Sequence, residues 1–473
     1  MSIYDNATVL LRDVDELLRE QYLAEVPQTV YLEGNVTNRL IQPASEAVFG
    51  DGKNVQTVTR YGSSMGLSNQ ALAAFPTPQA FDAAEYKVRF SSTNTSANDF
   101  TRVAGSARVD HYTLMNGSGG AALDVAAKVF RDLTGDYNLL MATVRHAPRS
   151  GQIALVNGTP KQNDSHRYAG ATAYSAGGTT MRICVDNGPL AAFQPGTRWD
   201  IYSSAGVLKF SDARVTDVNA ADDGATPRGS VGFERTSTDS TANFDNVADN
   251  DVLVRHGEQG QIAPYSLGAW FSRPTTGDSF IGGVNRTTAA NRYMLTMASR
   301  EGASSQAVIS FDHLSQFFVS MNAIVEDNQM FVAIAHPALT RSLMAAAEGS
   351  KFIVVFNDAQ ATRARQFNAG LSGIGFQDPL AGLVALESDP LCPNNRVRIV
   401  RPGDWRCFYY QKVGLQPVPG SDIGSWYRVQ GDVPNQGKGL AYQYDAFANL
   451  CDICLNPPKQ GEILNVKGTD AIS

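Results

Sequence analysis

The sequence predicts an α+β fold with an inserted all-β subdomain, and three observations lead to this prediction. A long amphipathic run covers residues 118–146, strand-like segments separated by turns cover 150–260, and a strand–helix–strand pattern lies within 331–400. The 473 residues include 42 Gly and 21 Pro. This composition favours a folded protein that has many turns and more strand than helix.

The first 50 residues predict an N-terminal arm. A short amphipathic helix is expected before Pro27, and even spacing of the apolar residues in 28–50 indicates an extended chain. The apolar stripe of the helix has little local sequence to pack on. We therefore expect the arm to dock on a distant part of its own chain or on a neighbouring chain.

Residues 51–112 predict a long two-stranded ribbon. Residues 55–61 are rich in β-branched side chains, and Tyr86, Val88 and Phe90 alternate with charged residues, which is typical of a half-exposed strand. The ribbon has too few large apolar residues for a core of its own. Because an isolated β-ribbon is only marginally stable in water, we expect another part of the protein or another chain to cover it.

Residues 113–149 are dominated by one long predicted helix from Ser118 to His146. Ser118 is a suitable N-cap, Pro148 ends the run, and Gly135 is a point at which the helix would divide in two. Steps of three and four residues place the apolar side chains on one face. These side chains are Leu123, Ala127, Phe130, Leu133, Tyr137, Leu140 and Val144.

Residues 150–260 predict a small barrel or sandwich inserted into the main fold. Turn residues such as Pro195-Gly196 and Asp222-Asp223-Gly224 separate the strand-like segments. The predicted strands are Thr180–Val185, Trp199–Tyr202, Val207–Phe210, Arg214–Val218, Ser230–Phe233 and Val252–Val254.

The remainder of the chain reads as three parts. Residues 261–330 are mixed and include a helix from Ser310 to about Val325, whose apolar face contains Leu314, Phe317 and Phe318. Residues 331–400 are predicted as strands 331–335, 351–356 and 397–400 with a helix that begins at Pro337 and stops at Gly349. Residues 401–473 are β-rich.

Composition limits the class of function. The formal net charge is −7, and no domain-sized basic stretch exists, which disfavours sequence-specific nucleic-acid binding. The start of the chain lacks the pattern of a signal peptide, and no apolar run approaches the length of a membrane span. Five cysteines do not make a disulfide framework in so long a chain, so Cys184, Cys392 and Cys407 are expected to be buried thiols. We expect synthesis in a reducing cytoplasm.

One short motif suggests catalysis by a serine. Residues 62–66 match the Gly-x-Ser-x-Gly nucleophile elbow, with Ser64 in the position of the nucleophile. That elbow requires a buried strand before it and a helix after it, whereas here the preceding strand belongs to the ribbon. A serine esterase that uses Ser64 stays open as an alternative from another functional class.

No cofactor or metal site is predicted. Cys451 and Cys454 form a single C-x-x-C, but a structural zinc site needs a second pair, so two thiols in a β-rich region are the better interpretation. The six histidines are scattered, and Asp245, Asp249 and Asp251 lack the glycine and glutamate of an EF-hand, which indicates turn residues. The absence of a catalytic constellation in so long a chain favours a structural role over an enzyme.

Several segments resemble, in sequence and in order, the major capsid protein of tailed bacteriophages, in the Hong Kong 97 phage-like family. The similar segments are Phe193-Gln194-Pro195-Gly196-Thr197, Gly282-Gly283-Val284-Asn285-Arg286, Val332-Ala333-Ile334-Ala335-His336-Pro337 and Ser388-Asp389-Pro390-Leu391-Cys392-Pro393, followed by Asp404-Trp405. The resemblance covers most of the chain after about residue 28.

The resemblance implies a capsid fold with named parts. These would be an N-terminal arm (1–50), an E-loop (51–112), a peripheral domain with a spine helix (113–149 and 261–330), an inserted β subdomain (150–260), an axial domain (331–400) and a C-terminal part that returns to the peripheral domain (401–473). The residues expected to build and assemble the subunit are Leu123, Phe130, Leu133, Tyr137, Leu140, Val144, Leu314, Phe317, Phe318, Tyr86, Val88 and Phe90.

The resemblance also implies partners. Copies of the chain would form the hexamers and pentamers of an icosahedral head that encloses double-stranded DNA, touched only non-specifically. Only about 50 residues precede the ribbon, so a separate scaffolding protein and a portal are expected, with a possible decoration protein on the insertion. Relatives that crosslink use a Lys–Asn isopeptide bond, and nothing marks Lys53 or Lys87 as a partner in one. An encapsulin-like compartment shell is the alternative within this fold class, although such a shell should lack the insertion.

Overall fold

The computed structural model of the chain mixes helices and strands, in agreement with the predicted α+β class. The residues that it describes are 36–41, 54–60, 83–89, 101–110, 133, 135–148, 150–164, 167–219, 229–236, 244–257, 267–273, 280–281, 284–302, 306–322, 331–349, 374–378, 382–409, 416–417, 427–430 and 440–468.

The chain divides into two compact units. One contains residues 1–47, 100–142 and 407–451, and the other contains residues 48–99, 143–406 and 452–473.

The first unit is organised on one long strand. This strand, β21 (Leu440–Cys454), pairs antiparallel with β3 (Thr101–Asp110) over ten residues, from Ala441 opposite Asp110 to Leu450 opposite Thr101. The same sheet contains β18 (Trp405–Tyr409), β19 (Gln416–Pro417) and β20 (Tyr427–Gln430). Helix α1 (Val36–Leu40) precedes these strands in the chain.

Residues 135–146 form helix α2, which corresponds to the second half of the predicted long helix. Gly135 lies within the helical stretch. Residues 118–132 lie outside the described part of the chain. The residues of the predicted stripe that precede Leu133 therefore lie outside it as well.

The second unit begins with the ribbon strands β1 (Asn54–Arg60) and β2 (Ala83–Arg89). Its barrel strands are β4 (Gln152–Lys161), β5 (Thr180–Asp186), β6 (Arg198–Tyr202), β7 (Leu208–Asn219), β8 (Ser230–Arg235) and β9 (Val252–Arg255). Helix α3 (Leu267–Phe271) follows, and then β10 (Phe280–Ile281), β11 (Val284–Asn285), β12 (Met297–Arg300), β13 (Ala307–Val308), α4 (Phe311–Asn322), β14 (Phe331–Ala335), α5 (Pro337–Gly349), β15 (Ile374–Asp378), β16 (Gly382–Ser388), β17 (Arg396–Val400), β22 (Gly461–Leu464) and β23 (Val466–Lys467).

These six strands form a closed barrel in the order β4-β5-β8-β7-β6-β9, within the stretch 150–260 for which a small barrel or sandwich was predicted. Large aromatic side chains pack in it, and they come both from strands (Trp199 and Phe210) and from the 3-10 segments between strands (Phe193 and Phe244). Phe193 stacks on Trp199 with ring centroids 4.2 Å apart, and Phe210 stacks on Phe244 at 4.1 Å. The predicted Pro195-Gly196 turn is present, with Gly196 at φ +90° and a hydrogen bond from Thr197 N to Gln194 O.

The prediction differs from the barrel in two respects. The segments 207–210 and 214–218 are one strand, β7, which bulges where its register against β6 shifts. The buried carboxylate of Asp200 holds the bulge by accepting hydrogen bonds from Asp212 N and Ser211 Oγ, so polar residues that resemble a turn sit inside a strand. Strand β4 was missed because its Asn157-Gly158-Thr159-Pro160 stretch has the composition of a loop.

A second large sheet of this unit has six strands in the order β12-β22-β17-β14-β16-β15. Strands β14 and β16 are parallel, as are β12 and β22, and the other neighbours are antiparallel. The predicted strands 331–335 and 397–400 are β14 and β17, and α5 begins at Pro337 as predicted. The predicted strand 351–356 lies outside the described residues. Strand β22, which comes from the last part of the chain, pairs with β17, and the sequence did not indicate this pairing.

Helix α4 forms the predicted apolar face against this sheet. Leu314, Phe317 and Phe318 are each at most 2 % exposed and belong to one hydrophobic cluster with β14 and β17. Ser310 caps the helix, since its hydroxyl accepts a hydrogen bond from His313 N at 3.4 Å. The helix is described as far as Asn322, and residues 323–325 of the prediction lie beyond the described part.

Truncation of this face is expected to destabilise the subunit. Leu314→Ala should lower the free energy of unfolding by about 3 kcal/mol, because it leaves a cavity in a fully buried cluster. Chemical denaturation followed by tryptophan fluorescence measures the change. Val319→Ala on the same helix is the matched control, because Val319 is 58 % exposed and its loss should cost less than about 0.5 kcal/mol. Equal losses in the two variants would contradict the packing described.

The end of α2 lies against α3 at a glycine. A Cβ atom on Gly268 would stand 2.0 Å from the carbonyl oxygen of Ala147, which is backbone and has little room to move. Gly268→Ala is therefore expected to cost about 1–3 kcal/mol of stability by overpacking. Gly403→Ala is the control, because a Cβ there meets no atom within 4 Å. A stability of Gly268→Ala equal to that of the control in thermal unfolding would show that the two segments do not pack this closely.

Candidate assembly elements

The ribbon is a regular antiparallel pair in the described part of the chain. Its register runs from Asn54 opposite Arg89 to Arg60 opposite Ala83 without a shift. This register sets Val88 opposite Val55 and Tyr86 opposite Thr57. Phe90 lies outside the described residues, as do residues 61–82, which include Ser64 and the rest of the nucleophile motif.

The ribbon forms a sheet of its own. Within the described residues, neither β1 nor β2 pairs with a third strand. Two-stranded sheets without a covering layer are marginally stable in water, and their outer edges present unpaired backbone groups.

Helix α2 carries part of the predicted apolar stripe. Tyr137 and Val144 are buried, at 5 % and 3 % exposure, and Leu133 and Leu140 are half-buried. Leu123 and Phe130 lie outside the described residues. The described half of the stripe thus faces packed protein, which is what an amphipathic helix with a core-facing side requires.

The last turn of α2 ends in a buried ionic centre that the sequence did not reveal. Arg145 donates to both carboxylate oxygens of Asp452, from Nε at 2.9 Å and from Nη2 at 3.2 Å. The side chains are 2 % and 0 % exposed. Trp270 Nε1 donates to the backbone carbonyl of Asp452 at 3.0 Å. This bidentate pair fixes the end of the helix to the end of β21 and to α3.

The next residue, His146, is held between two side chains of opposite charge. Its Nε2 lies 3.0 Å from Asp389 Oδ2, and its Nδ1 lies 2.8 Å from Arg398 Nη1. Arg398 Nη2 also donates to the backbone carbonyl of His146 at 2.9 Å. Burial, together with the neighbouring arginines, lowers the pKa of His146 although Asp389 raises it. The imidazole is therefore neutral near pH 7.

Arg286 is the last residue of the segment Gly282-Gly283-Val284-Asn285-Arg286, and its side chain is buried. Its guanidinium is 2 % exposed and donates to the carbonyl oxygens of Met294, Ala269 and Trp270 at 3.2, 3.2 and 2.7 Å. Ala269 and Trp270 belong to the last turn of α3, where helix carbonyls lack partners within the helix. The residue thus caps a buried helix end and holds the loop after β11 against it.

A cleft of about 360 Å³ lies where the barrel joins the rest of the unit. Its lining includes Gln152, Ile153 and Asn187 from the barrel segment and Arg398 and Glu462 from the six-stranded sheet. Glu462 is 3 % exposed, and its Oε2 has no hydrogen-bond partner among the described residues. Its nearest cationic atoms are Arg396 Nη1 at 3.6 Å and Arg398 Nε at 3.9 Å, both beyond hydrogen-bond range.

The aspartates singled out in the barrel are turn residues, as predicted. Asp245 accepts a hydrogen bond from Gly177 N, and Asp249 accepts one from Gly158 N. Asp251 accepts from Ala248 N and pairs with Lys209 Nζ at 2.8 Å. Asp222 and Asp223 lie outside the described residues. The cluster holds loops of the barrel together and shows no arrangement of an EF-hand.

The five cysteines are free thiols, as the sequence predicted. All five are buried, and none forms a disulfide. Cys451 and Cys454 stand on β21, and burial raises the pKa of Cys454 well above its usual value. Burial also raises the pKa of Cys392 to about 12. Among the described residues, no group of three or more side chains is arranged to hold a metal ion. Nor does any described helix combine the length and apolarity needed to cross a membrane.

Sequence reasoning missed the buried charges because their partners are far apart in the chain. Arg145 and Asp452 are separated by 307 residues, and His146 and Arg398 by 252. The only local signal is the position of the charged residues within apolar strands, as in Arg396-Val397-Arg398-Ile399-Val400 and Cys451-Asp452-Ile453-Cys454. A charge in such a place predicts a buried partner but does not say which.

The chain is similar to solved structures of phage capsids. The capsid asymmetric unit of cyanophage A-1(L) is 9% identical, with 93% of each chain covered and a TM-score of 0.46. The procapsid of satellite phage P4, which includes the size determination (Sid) protein, is 11% identical over 95% of this chain and 93% of that chain, with a TM-score of 0.37. The holo-SrpI encapsulin complex from Synechococcus elongatus PCC 7942 is 13% identical over 37% of this chain and 54% of that chain, with a TM-score of 0.23.

No family model matches the chain, and no curated protein matches it. The structural likenesses are distant in both identity and TM-score. The function is therefore argued below from the residues and elements of this chain.

Proposed function

We propose that this chain is the major capsid protein of a tailed phage and assembles with copies of itself into an icosahedral head. The observation that carries the proposal is the order of elements along the chain. The ribbon β1–β2 precedes helix α2, the barrel follows α2, and the sheet that contains β14 and β17 follows the barrel. E-loop, spine helix, inserted subdomain and axial domain follow one another in the same order in the family that the sequence resembles.

The physical properties of the ribbon support self-assembly. A two-stranded ribbon without a third strand among the described residues gains most when a neighbouring copy covers it. Exchanged extensions bind through backbone hydrogen bonds and alternating side chains, and they form heterologous interfaces that close into rings. Rings of six and five subunits, repeated over a shell, turn modest contacts into a stable particle by multivalency.

The remaining parts have roles consistent with this proposal. The apolar faces of α2 and α4 form the cores of the subunit, the barrel lies on the outer surface, where a decoration protein would bind, and residues 331–400 approach the centre of each capsomer. The packaged DNA is contacted without sequence specificity, in keeping with the net charge of −7. A scaffolding protein and a portal complete the set of partners, and the virion is the final location.

Electron microscopy of the expressed chain, alone and together with the proteins encoded beside it, tests the proposal. The expected result is closed icosahedral shells of uniform size. Shells that contain a cargo enzyme would instead favour an encapsulin-like compartment. Such a shell is, however, expected to lack a subdomain like the closed six-stranded barrel of this chain. A chain that stays monomeric at high concentration, even beside its assembly helpers, would overturn the proposal.

The esterase alternative is tested separately by an activity assay. Hydrolysis of short acyl esters by the wild type, lost in Ser64→Ala, would establish that alternative. The expected result is that neither the wild type nor Ser64→Ala hydrolyses such esters.

A further inference from the structure

The hydrogen bonds of His146 fix its protonation state. A guanidinium has donors and no acceptor, so the Nδ1 atom that lies 2.8 Å from Arg398 Nη1 must accept and carries no proton. The proton of the neutral ring is then on Nε2, where it is donated to Asp389 Oδ2 at 3.0 Å. Asp389 is itself held in place, because its Oδ1 accepts a hydrogen bond from Leu391 N at 2.9 Å.

A second proton on this ring has only one place to go. It would enter Nδ1 and point at the N–H of Arg398, which would convert a hydrogen bond into two opposed donors and place two cations in a buried site. Arg398 is 1 % exposed and His146 is 3 % exposed, so solvent does not screen the repulsion. Protonation of His146 and the observed position of Arg398 are therefore incompatible.

Glu462 offers Arg398 another partner. Its Oε2 lies 3.9 Å from Arg398 Nε, is buried, and accepts no hydrogen bond in the described structure. Both residues line the cleft of about 360 Å³, so a small rotation of the guanidinium has space available. A buried carboxylate oxygen without a hydrogen bond is costly, and the rotation would relieve that cost.

We propose that His146 and Arg398 form a proton-operated switch, in which protonation of His146 at Nδ1 moves Arg398 from His146 to Glu462 and loosens the end of α2 from β17. The switch has two hydrogen-bonded states, and the proton selects between them. It belongs to the single subunit and does not depend on the proposed capsid function.

Burial sets the direction of the pH dependence by lowering the pKa of His146, and the charged and titratable groups around the ring modify it. These groups are Arg145, paired with Asp452, on α2; Arg396 and Arg398 on β17; Glu462 on β22; Asp389 after β16; and His336 before α5. Burial lowers the pKa of His336 to about 4, and its Nδ1 accepts a hydrogen bond from Ala338 N. The pKa of His146 is lowered, so the unfolded or opened chain binds the proton more readily. The state in which Arg398 binds His146 is thus favoured above pH 6.5 and is lost as the pH falls below 6.5.

Histidine-selective ¹⁵N labelling of the full-length protein tests the first step without any substitution. At pH 7.5, the imidazole of His146 should show the neutral tautomer with its proton on Nε2, and it should titrate below pH 6.5. His146→Gln assigns the signal. A proton on Nδ1 at neutral pH, or titration at or above pH 6.5, would overturn the proposal.

Hydrogen exchange tests the second step. After correction for the intrinsic rate, exchange of amides 143–147 in the wild type should accelerate by up to about tenfold for each pH unit between 6.5 and the pKa of His146. Glu462→Gln should shift this acceleration to lower pH, because it removes the charge that receives Arg398. His256→Gln is the matched control, since His256 is 42 % exposed and distant in the chain, and it should leave the profile unchanged. Exchange that is independent of pH in the wild type would refute the switch.

Discussion

A variant in which a short Asn-Gly link replaces residues 62–82 is expected to fold as a subunit and to build no heads. Arg60 and Ala83 are opposite each other at the end of the ribbon, so a short link rejoins β1 and β2 as a hairpin. The described core residues of α4, β14 and β17 all lie later in the chain, between residues 297 and 466, so the stability of the subunit should be nearly unchanged. The surface that the ribbon tip would cover on a neighbouring copy stays bare, and assembly should fail.

Two measurements on the same preparation separate folding from assembly. Circular dichroism and thermal unfolding report the subunit, and electron microscopy with light scattering reports particles. Ser64→Ala is the matched control within the removed segment, because it preserves the ribbon and should build heads like the wild type. Normal heads from the shortened ribbon would refute the role proposed for it.

Asp452→Ala is expected to lower the free energy of unfolding by about 3–5 kcal/mol, because it leaves the guanidinium of Arg145 buried without its carboxylate. The pair is bidentate and at most 2 % exposed, so water does not replace the lost partner. Asp452→Asn preserves the shape and one acceptor, and its loss should be smaller. Chemical denaturation with a common slope for all variants gives the differences.

A surface ion pair of the barrel provides the comparison. Arg214 and Glu234 are 3.1 Å apart, but their side chains are 55% and 37% exposed. Glu234→Ala should therefore cost less than about 1 kcal/mol. If both variants lost the same stability, burial would not determine the strength of the Arg145–Asp452 pair.

Local patterns in the sequence were sufficient for many elements. Apolar spacing placed α4 and its buried residues Leu314 and Phe317, and the Pro337 signal placed the start of α5. Turn residues separated most barrel strands, because turn chemistry depends on neighbouring residues alone. The bulge in β7 was misread because Ser211 and Asp212 are typical of turns, and the carboxylate of Asp200 that holds them inside the strand is not adjacent in sequence.

The sequence by itself determined the mixed class of the fold and the run of strands within residues 150–260. Those properties follow from periodicity and from local backbone preferences, which a single segment contains. Only the tertiary structure decided that the insertion closes into a barrel, that β22 joins β17, and that Arg145, His146, Asp389, Arg398 and Asp452 meet at the end of α2. Such pairings depend on which distant segments approach each other, because a buried charge is satisfied by any suitable partner and the fold alone selects it.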